Sequence, residues 1–169
     1  DRTMSAAQKL YEGGLITYLR TDGISISTSP NTGEPFSEDK PGPPPLQEVR
    51  NIIVKEFDKS YLSEQVRTYK SKVQNSQEAH EAIRPTDISR TPESIKKFLS
   101  ADQNKLYDLI WSRALSSQME AAKFDRKTIT IVSDDNSNQF RCSGSTIKFD
   151  GFLKLTRIDE NEDEKILPD

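Results

Sequence analysis

Apolar residues recur every three or four positions in the first two thirds of the chain and at every second position after Lys123. The first spacing places apolar side chains on one face of a helix, and the second places them on one face of a strand. The pattern therefore predicts helices followed by antiparallel strands, which suggests an α+β fold or parts of two domains. Helices are predicted over 5–12 and 46–57, from near Ser76 to Arg84, after Thr91, and from Ser100 onward.

The helix that starts at Ser100 opens with a capping-box pattern, because Gln103 follows three residues later. Tyr107 and Trp111 are expected to flank its buried stripe as core residues without a cofactor role. The stripe itself is predicted to consist of Leu106, Leu109, Ile110, Ala114 and Leu115.

Three alternating runs predict the strands: KTITIV, QFRCSG and TIKFDGFLKLT. Asp134 and Asp135 fall in a predicted hairpin turn between the first two runs. Cys142 is the only cysteine, so an internal disulfide and a cysteine-rich zinc site are excluded, and we interpret it as a small strand residue. The proline-rich stretch between Thr21 and Leu46 predicts an exposed loop.

Residues 13–23, GGLITYLRTDG, combine a tyrosine with a nearby cation. The glycines end the first helix, and an extended run follows in which Tyr18 and Arg20 point to one side and Thr17 and Leu19 to the other. A phenol is a weak nucleophile unless its proton is removed or its anion is stabilised, and an arginine can stabilise the anion and grip a phosphodiester. Taken alone, the pair also fits a packed strand residue and a surface cation.

Residues 75–86, NSQEAHEAIRPT, contain the only histidine of the chain. The predicted helix places His80 and Arg84 four residues apart on one face, and the proline after Arg84 ends it. The two side chains could hold phosphate oxygens and offer a proton that titrates near neutral pH. Taken alone, they also fit a helix-surface pair.

The net charge and the hydropathy of the chain limit the classes of protein to which it can belong. The formal net charge is −3, and between Gln65 and Lys97 seven bases stand against four acids, a mild basic region compatible with phosphate contacts. No apolar run approaches the roughly 18 residues that span a bilayer, and no basic-then-apolar leader opens the chain. We therefore expect an intracellular, cytoplasmic protein. The chain starts without Met and stops in a charged stretch, so we expect a piece of a longer protein.

Three motifs that follow one another along the chain are informative together, although none is specific alone. They are MSAAQKLYEGGLITYLRTDG, QEAHEAIRPTD and KLYDLIWSRALSSQMEAAKFD. Together they closely resemble the cleavage domain of bacterial type IA DNA topoisomerases, and the wording EAHEAIRPT favours the topoisomerase I group. The resemblance extends from Arg2 to about Pro168 and weakens in the proline-rich loop and through the strands. Gly23 departs from it, since the family often has Ser there.

The resemblance implies a role for each candidate residue. Tyr18 matches the active-site tyrosine, which attacks one DNA strand, joins the 5′ phosphate and releases a 3′ hydroxyl; another strand passes, and the break is resealed without ATP. Arg20 matches the arginine that steadies the tyrosine and the scissile phosphate. His80 and Arg84 match residues that contact the bound strand near the cut, and Thr21 is assigned to DNA binding with them. The implied partner is single-stranded and negatively supercoiled DNA, which places the protein at the nucleoid.

The resemblance also implies what the chain does not supply. Mg²⁺ would be bound by acidic residues of a Toprim domain N-terminal to this chain, so no metal ligand is assigned here and the isolated chain is expected to be inactive. Residues 1–121 would form a helical, winged-helix-like tyrosine domain, and residues 122–169 part of a β-rich arch domain. The Toprim domain and the rest of the arch are the expected partners within the same polypeptide, and no membrane partner is expected.

Two alternatives stay open. A segment of topoisomerase III or reverse gyrase would carry the same chemistry. A noncatalytic helix-turn-helix DNA-binding module, in which Tyr18 only packs, belongs to a different class. Covalent trapping separates the classes, because only an enzyme leaves a DNA–tyrosine adduct.

Overall fold

The computed structural model describes residues 1–29, 43–69 and 81–156, and the chain separates into two compact units, Asp1–Glu120 and Ala121–Asp169. Helices and an antiparallel sheet confirm the predicted α+β class. The described part of the first unit contains helices α1 (Arg2–Glu12), α2 (Pro45–Phe57), α3 (Pro92–Ile95) and α4 (Ala101–Ser116), with 3₁₀ turns at Lys59–Tyr61 and Lys96–Phe98. The described part of the second contains strands β1 (Lys123–Val132) and β2 (Gln139–Phe149) and a 3₁₀ turn at Gly151–Lys154.

Helix α4 begins as predicted but turns a different face to the core. The Ser100 hydroxyl accepts from the Gln103 backbone N–H, and the Gln103 side chain accepts from the Ser100 N–H, which completes the capping box. The predicted buried stripe is wrong at Leu109, whose side chain is 55% exposed. Tyr107 and Trp111, expected at the flanks, lie at the centre of the buried face.

The two aromatic rings of α4 explain that rotation. The Tyr107 hydroxyl donates to the Arg90 carbonyl at 2.8 Å, and the Trp111 ring N–H donates to the Ile88 carbonyl at 2.9 Å. Large rings add the most buried apolar area, and each can be buried only where its polar atom finds a partner. Burial raises the pKa of Tyr107 to about 12, with a further upward contribution from Asp87. The chain at 88–90 therefore decides which face of α4 is inside.

The core of the first unit collects side chains from α1, α2, α4 and the chain that follows α4. Helix α1 packs against α4, and α2 packs against α4 as well. Fully buried apolar side chains in this core include Leu10, Val49, Ile53, Leu115 and Met119.

One predicted element of the first unit is wrong in its described part. Residues 81–84 are not helical, and the rest of that predicted helix, 76–80, lies outside the described residues. The extended run predicted at 15–20 forms one bridge among the described residues, between Ile16 and Pro85. The correction at 81–84 has a physical cause: the backbone groups of this stretch bond across the chain to residues 15–25 rather than within a local helix. The predicted proline-rich loop falls largely on residues 30–42, which also lie outside the description.

The second unit is built on a β-hairpin in which Ile129 faces Cys142 and Ile131 faces Phe140. The predicted turn is confirmed, and Asp135 accepts hydrogen bonds in it from the Ser133 and Ser137 hydroxyls. These hydrogen bonds lower the pKa of the exposed Asp135 carboxyl to about 2. The third predicted run does not stay extended, because after β2 the chain turns at Gly151, whose φ of 52° suits a residue without a side chain.

No helix among the described residues combines the length and apolar composition that a membrane span requires.

Leucine substitutions in α4 test the corrected burial pattern. We expect Leu115→Ala to lower the free energy of unfolding by about 2–5 kcal/mol, because it leaves a cavity at a fully buried position. The matched change Leu109→Ala, on the exposed side of the same helix, should alter it by less than about 0.5 kcal/mol. Urea unfolding of the 169-residue chain measures both. Equal losses at the two positions would contradict the assignment.

Candidate active site

Helix α1 ends in a glycine turn that starts the tyrosine segment, which we define as residues 13–27. The Leu15 N–H donates to the Leu10 carbonyl, and the Gly14 N–H donates to the Tyr11 carbonyl, both at 2.9 Å. This pair of bonds closes a helix when the residue after the cap takes a positive φ, and Gly14 has a φ of 66°. The predicted helix stop is confirmed, and it fixes the direction in which the tyrosine segment leaves α1.

A second stretch, residues 81–86, runs beside the tyrosine segment, and we call it the brace. Its residues are joined to the segment by backbone hydrogen bonds on both sides of Tyr18, although the two stretches are about sixty residues apart in the chain. The bonds join Thr17 N to Arg84 O at 2.9 Å, Thr86 N to Leu15 O at 3.1 Å and Ala82 N to Ser25 O at 2.9 Å.

Two threonine hydroxyls add side-chain anchors to the same pairing. Thr17 Oγ1 donates to the Ala82 carbonyl at 3.1 Å and accepts from the Arg84 N–H at 3.0 Å. Thr21 Oγ1 donates to the Glu81 carbonyl at 2.9 Å. The three residues between these threonines are therefore held at both ends by the brace.

Tyr18 and Arg20 lie in that held span and both face solvent. The Tyr18 side chain is 49% exposed, Arg20 is exposed, and Leu19 between them is buried. This agrees with the predicted alternation, in which Leu19 and Thr17 point away from the other two. The Tyr18 ring meets the Tyr11 ring edge to face, with centroids 5.5 Å apart. Within the described residues, neither the Tyr18 hydroxyl nor the Arg20 guanidinium makes a hydrogen bond.

Arg84 occupies a different environment from Arg20. Its side chain is buried, and its guanidinium donates to both carboxylate oxygens of Glu81, through Nε at 2.6 Å and Nη2 at 3.2 Å. Nη1 donates to the Pro85 carbonyl at 2.8 Å. The Glu81 Oε1 atom also accepts from the Ser27 N–H at 2.9 Å. Arg84 and Glu81 thus form an internal pair that links the brace to the far end of the tyrosine segment.

The positive charge of Arg84 affects a carboxylate on the neighbouring helix α2. Burial raises the pKa of Glu48 on α2, while the positive charge of Arg84 offsets part of that rise and Asp87 adds to it. Arg84 therefore sits among carboxylates.

The four predicted site residues are not all brought together in the described structure. Tyr18 and Arg20 share one exposed span, Arg84 lies behind it in the brace, and His80 lies outside the described residues. Thr21 was assigned to DNA binding, and its hydroxyl is used by the brace. The sequence pattern does not single out Thr17 or Glu81 for function, because contacts between residues so far apart in the chain leave no signal in one sequence.

A cavity of about 580 Å³ adjoins the far end of the tyrosine segment and the brace. Its lining includes Ser25, Ser27 and Glu81, and two cations, Arg67 and Arg113. Hydroxyls and guanidinium groups of this kind can bind phosphate oxygens. Within 1–29, 43–69 and 81–156, no group of three or more His, Cys, Asp or Glu side chains is arranged to hold a metal ion.

Comparison with known proteins gives one consistent result. The sequence model of the DNA topoisomerase family matches residues 1–169. The chain is 43% identical to DNA topoisomerase 1 of Rickettsia bellii over 179 residues and 38% identical to DNA topoisomerase 1 of Helicobacter pylori over 175, in each case covering 99% of this chain. It spans only about a fifth of those relatives, 20% and 21%. It is also similar to the structure of full-length topoisomerase I from Thermotoga maritima, with a TM-score of 0.67 and 32% identity over 94% of this chain and 23% of that one.

The two arginines should differ in their effect on stability. We expect Arg84→Ala to lower the free energy of unfolding by about 2–5 kcal/mol, because it leaves the Glu81 carboxylate without its buried partner. Arg20→Ala removes an exposed side chain and should change it by less than about 0.5 kcal/mol. Thermal and urea unfolding of both variants measure this difference. A stable Arg84→Ala variant would show that the Glu81–Arg84 pair does not hold the brace.

Proposed function

The chain belongs to the DNA topoisomerase family, and from that premise we propose that it is the nucleophile-bearing part of a type IA enzyme. In this proposal the complete protein cleaves one strand of negatively supercoiled DNA, passes another strand through the break and reseals it. The observation that carries the proposal is an exposed tyrosine, Tyr18, with an exposed arginine two residues away, both on a span anchored at each end.

Tyr18 is proposed as the nucleophile. Its phenolic oxygen attacks the phosphorus of a phosphodiester as the phenolic proton leaves, and the bond from phosphorus to the 3′ oxygen breaks. The products are a 5′-phosphotyrosine and a 3′ hydroxyl. The 3′ hydroxyl reverses the step after strand passage, and no ATP is needed because the phosphotyrosine retains the energy of the phosphodiester bond.

Cations near Tyr18 are proposed to stabilise the negative charge that develops on the phosphoryl oxygens during the reaction. Arg20 is proposed to bind the scissile phosphate, since its planar fork of donors faces solvent beside the nucleophile. His80 and Thr21 are proposed to contact the same strand. Arg84 is proposed to act near the cut as well, although its donors are directed to Glu81 and to carbonyl oxygens. It reaches a phosphate directly only if it exchanges the Glu81 carboxylate for that phosphate.

Magnesium enters the proposal only through the rest of the polypeptide. The described residues do not fit a magnesium site, because they offer no cluster of carboxylates. We propose that acidic residues of a Toprim domain outside this chain bind Mg²⁺. The Tyr18 side chain is 49% exposed, which leaves it accessible to such a domain.

The domain assignment is part of the same proposal. Residues 1–121 would be the winged-helix-like tyrosine domain and residues 122–169 a portion of the arch. The complete protein would act on DNA in the cytoplasm, at the nucleoid. The matched relatives are several times longer than this chain, which leaves room for the Toprim domain and the rest of the arch. A segment of topoisomerase III or reverse gyrase is the alternative within the same chemistry.

A noncatalytic DNA-binding module remains the alternative of a different class. In such a module Tyr18 would pack against Tyr11 and Arg20 would contact phosphates without any bond being broken. The exposure of Tyr18 argues against it, since a residue that serves packing is more often buried. Formation of a covalent adduct with DNA separates the two.

Tyrosine substitutions in the full-length protein test the nucleophile. We expect Tyr18→Phe to abolish both cleavage of single-stranded DNA and relaxation of supercoiled plasmid, because it removes only the attacking oxygen. DNA affinity and melting temperature should stay close to those of the wild type. The matched control is Tyr11→Phe, which makes the same change in the ring that contacts Tyr18 and should retain cleavage. Relaxation by the Tyr18→Phe variant would show that another residue is the nucleophile.

The 169-residue chain alone should neither cut nor relax DNA. It supplies the tyrosine and part of the phosphate clamp, and its net charge of −3 gives little general attraction to DNA. We expect weak binding of single-stranded DNA that falls steeply as salt is raised. Incubation with Mg²⁺ and supercoiled plasmid is the direct measurement. Relaxed topoisomers that form with this chain and vanish with Tyr18→Phe would contradict the requirement for a second domain.

A further inference from the structure

Resting on the proposed function, we infer that Thr17 and the Glu81–Arg84 pair are positioning residues that hold Tyr18 and Arg20 in the geometry for strand cleavage. Thr17 and Glu81 act through the brace without contacting DNA, and Arg84 acts through it as long as its donors stay on Glu81. Two sets of hydrogen bonds support this inference. The Thr17 hydroxyl bonds to the backbone of Arg84 and Ala82, and the Glu81 carboxylate bonds to the Arg84 guanidinium and the Ser27 N–H.

Thr17 is the anchor nearest to the nucleophile in the chain. Its backbone N–H donates to the Arg84 carbonyl at 2.9 Å, and its hydroxyl both accepts from the Arg84 N–H and donates to the Ala82 carbonyl. Three hydrogen bonds therefore fix the residue directly before Tyr18. Because Thr17 is β-branched, its side chain has few rotamers, and the hydroxyl stays directed at the brace.

Glu81 and Arg84 keep the brace in the shape that Thr17 requires. The carboxylate receives two guanidinium donors, and the Pro85 carbonyl receives a third. Glu81 also contributes its carbonyl to Thr21 and a carboxylate oxygen to Ser27. One acidic residue thus reaches the tyrosine segment beyond Tyr18, while Arg84 reaches it before Tyr18.

The held span has little else to restrain it among the described residues. Leu19 is buried, but the Tyr18 ring is half exposed and contacts one described ring, that of Tyr11. A reacting group gains its rate from being held in the attacking position, and a displacement of about 1 Å can cost about 10²-fold. Loss of an anchor next to Tyr18 should therefore reduce the cleavage rate more than it reduces the stability of the fold.

The experiment uses the full-length protein and single-turnover cleavage of a single-stranded oligonucleotide at saturating concentration. Thr17→Val replaces the hydroxyl by a methyl group of similar size and removes both side-chain bonds to the brace. We expect the cleavage rate constant to fall about 10- to 100-fold, with oligonucleotide affinity changed by less than about threefold. Thr17→Ser keeps the hydroxyl and should restore most of the rate.

Two further variants complete the test. Tyr107→Phe deletes another hydroxyl that donates to a carbonyl in the same unit, the one bonded to Arg90, and should leave the cleavage rate unchanged. Glu81→Gln removes the charge that pairs with Arg84 and should slow cleavage in the same direction as Thr17→Val.

The outcomes separate this inference from the function on which it rests. Wild-type rates for Thr17→Val, equal losses for Thr17→Val and Tyr107→Phe, or an effect on affinity alone would each overturn the positioning role. None of those results affects the assignment of Tyr18, which fails only if Tyr18→Phe, assayed in parallel, still cleaves.

Discussion

The conformation of the chain around Tyr18 depends on the buried guanidinium of Arg84. A charged group taken out of water is tolerated only when its donors are occupied and its charge is opposed, and Arg84 meets both conditions through Glu81 and neighbouring carbonyls. Those contacts keep residues 81–86 in a non-helical course along residues 13–27. The pairing then leaves the short span that contains Tyr18 and Arg20 at the surface, held at Thr17 and Thr21.

The sequence predicts the elements whose signals are local. The capping box at Ser100, the glycine stop after α1 and the aspartate turn of the hairpin each depend on residues within a few positions, and each is confirmed. The predicted buried stripe of α4 is wrong at Leu109. The buried face depends on hydrogen bonds from Tyr107 and Trp111 to the carbonyls of residues 90 and 88, which the spacing of residues within the helix does not reveal.

In the candidate site, too, local features can be predicted from the sequence and long-range contacts cannot. The exposure of Tyr18 and Arg20 follows from alternation along the chain, which one sequence displays. The helix predicted to end at Arg84 is wrong over 81–84, since hydrogen bonds to residues about sixty positions earlier replace those of a helix. The burial of Arg84 could not be predicted either, because an arginine three residues after a glutamate fits an exposed helix pair equally well. A single sequence does not show which distant stretch of the chain provides the hydrogen-bond partner of a given polar group.

Tyr18, the proposed nucleophile, lies on an exposed span that the brace holds at both ends, in a chain that belongs to the DNA topoisomerase family. The central claim is that the oxygen of Tyr18 becomes bonded to DNA. The direct measurement is to quench a cleavage reaction of the full-length protein with detergent, digest the DNA and the protein, and locate the attached nucleotide by mass spectrometry. We expect a nucleotide mass on Tyr18 in the peptide that contains residues 10–20, and an unmodified Tyr11. A nucleotide attached to Tyr11 or to any other residue, or a DNA cut without an attached protein, would contradict it.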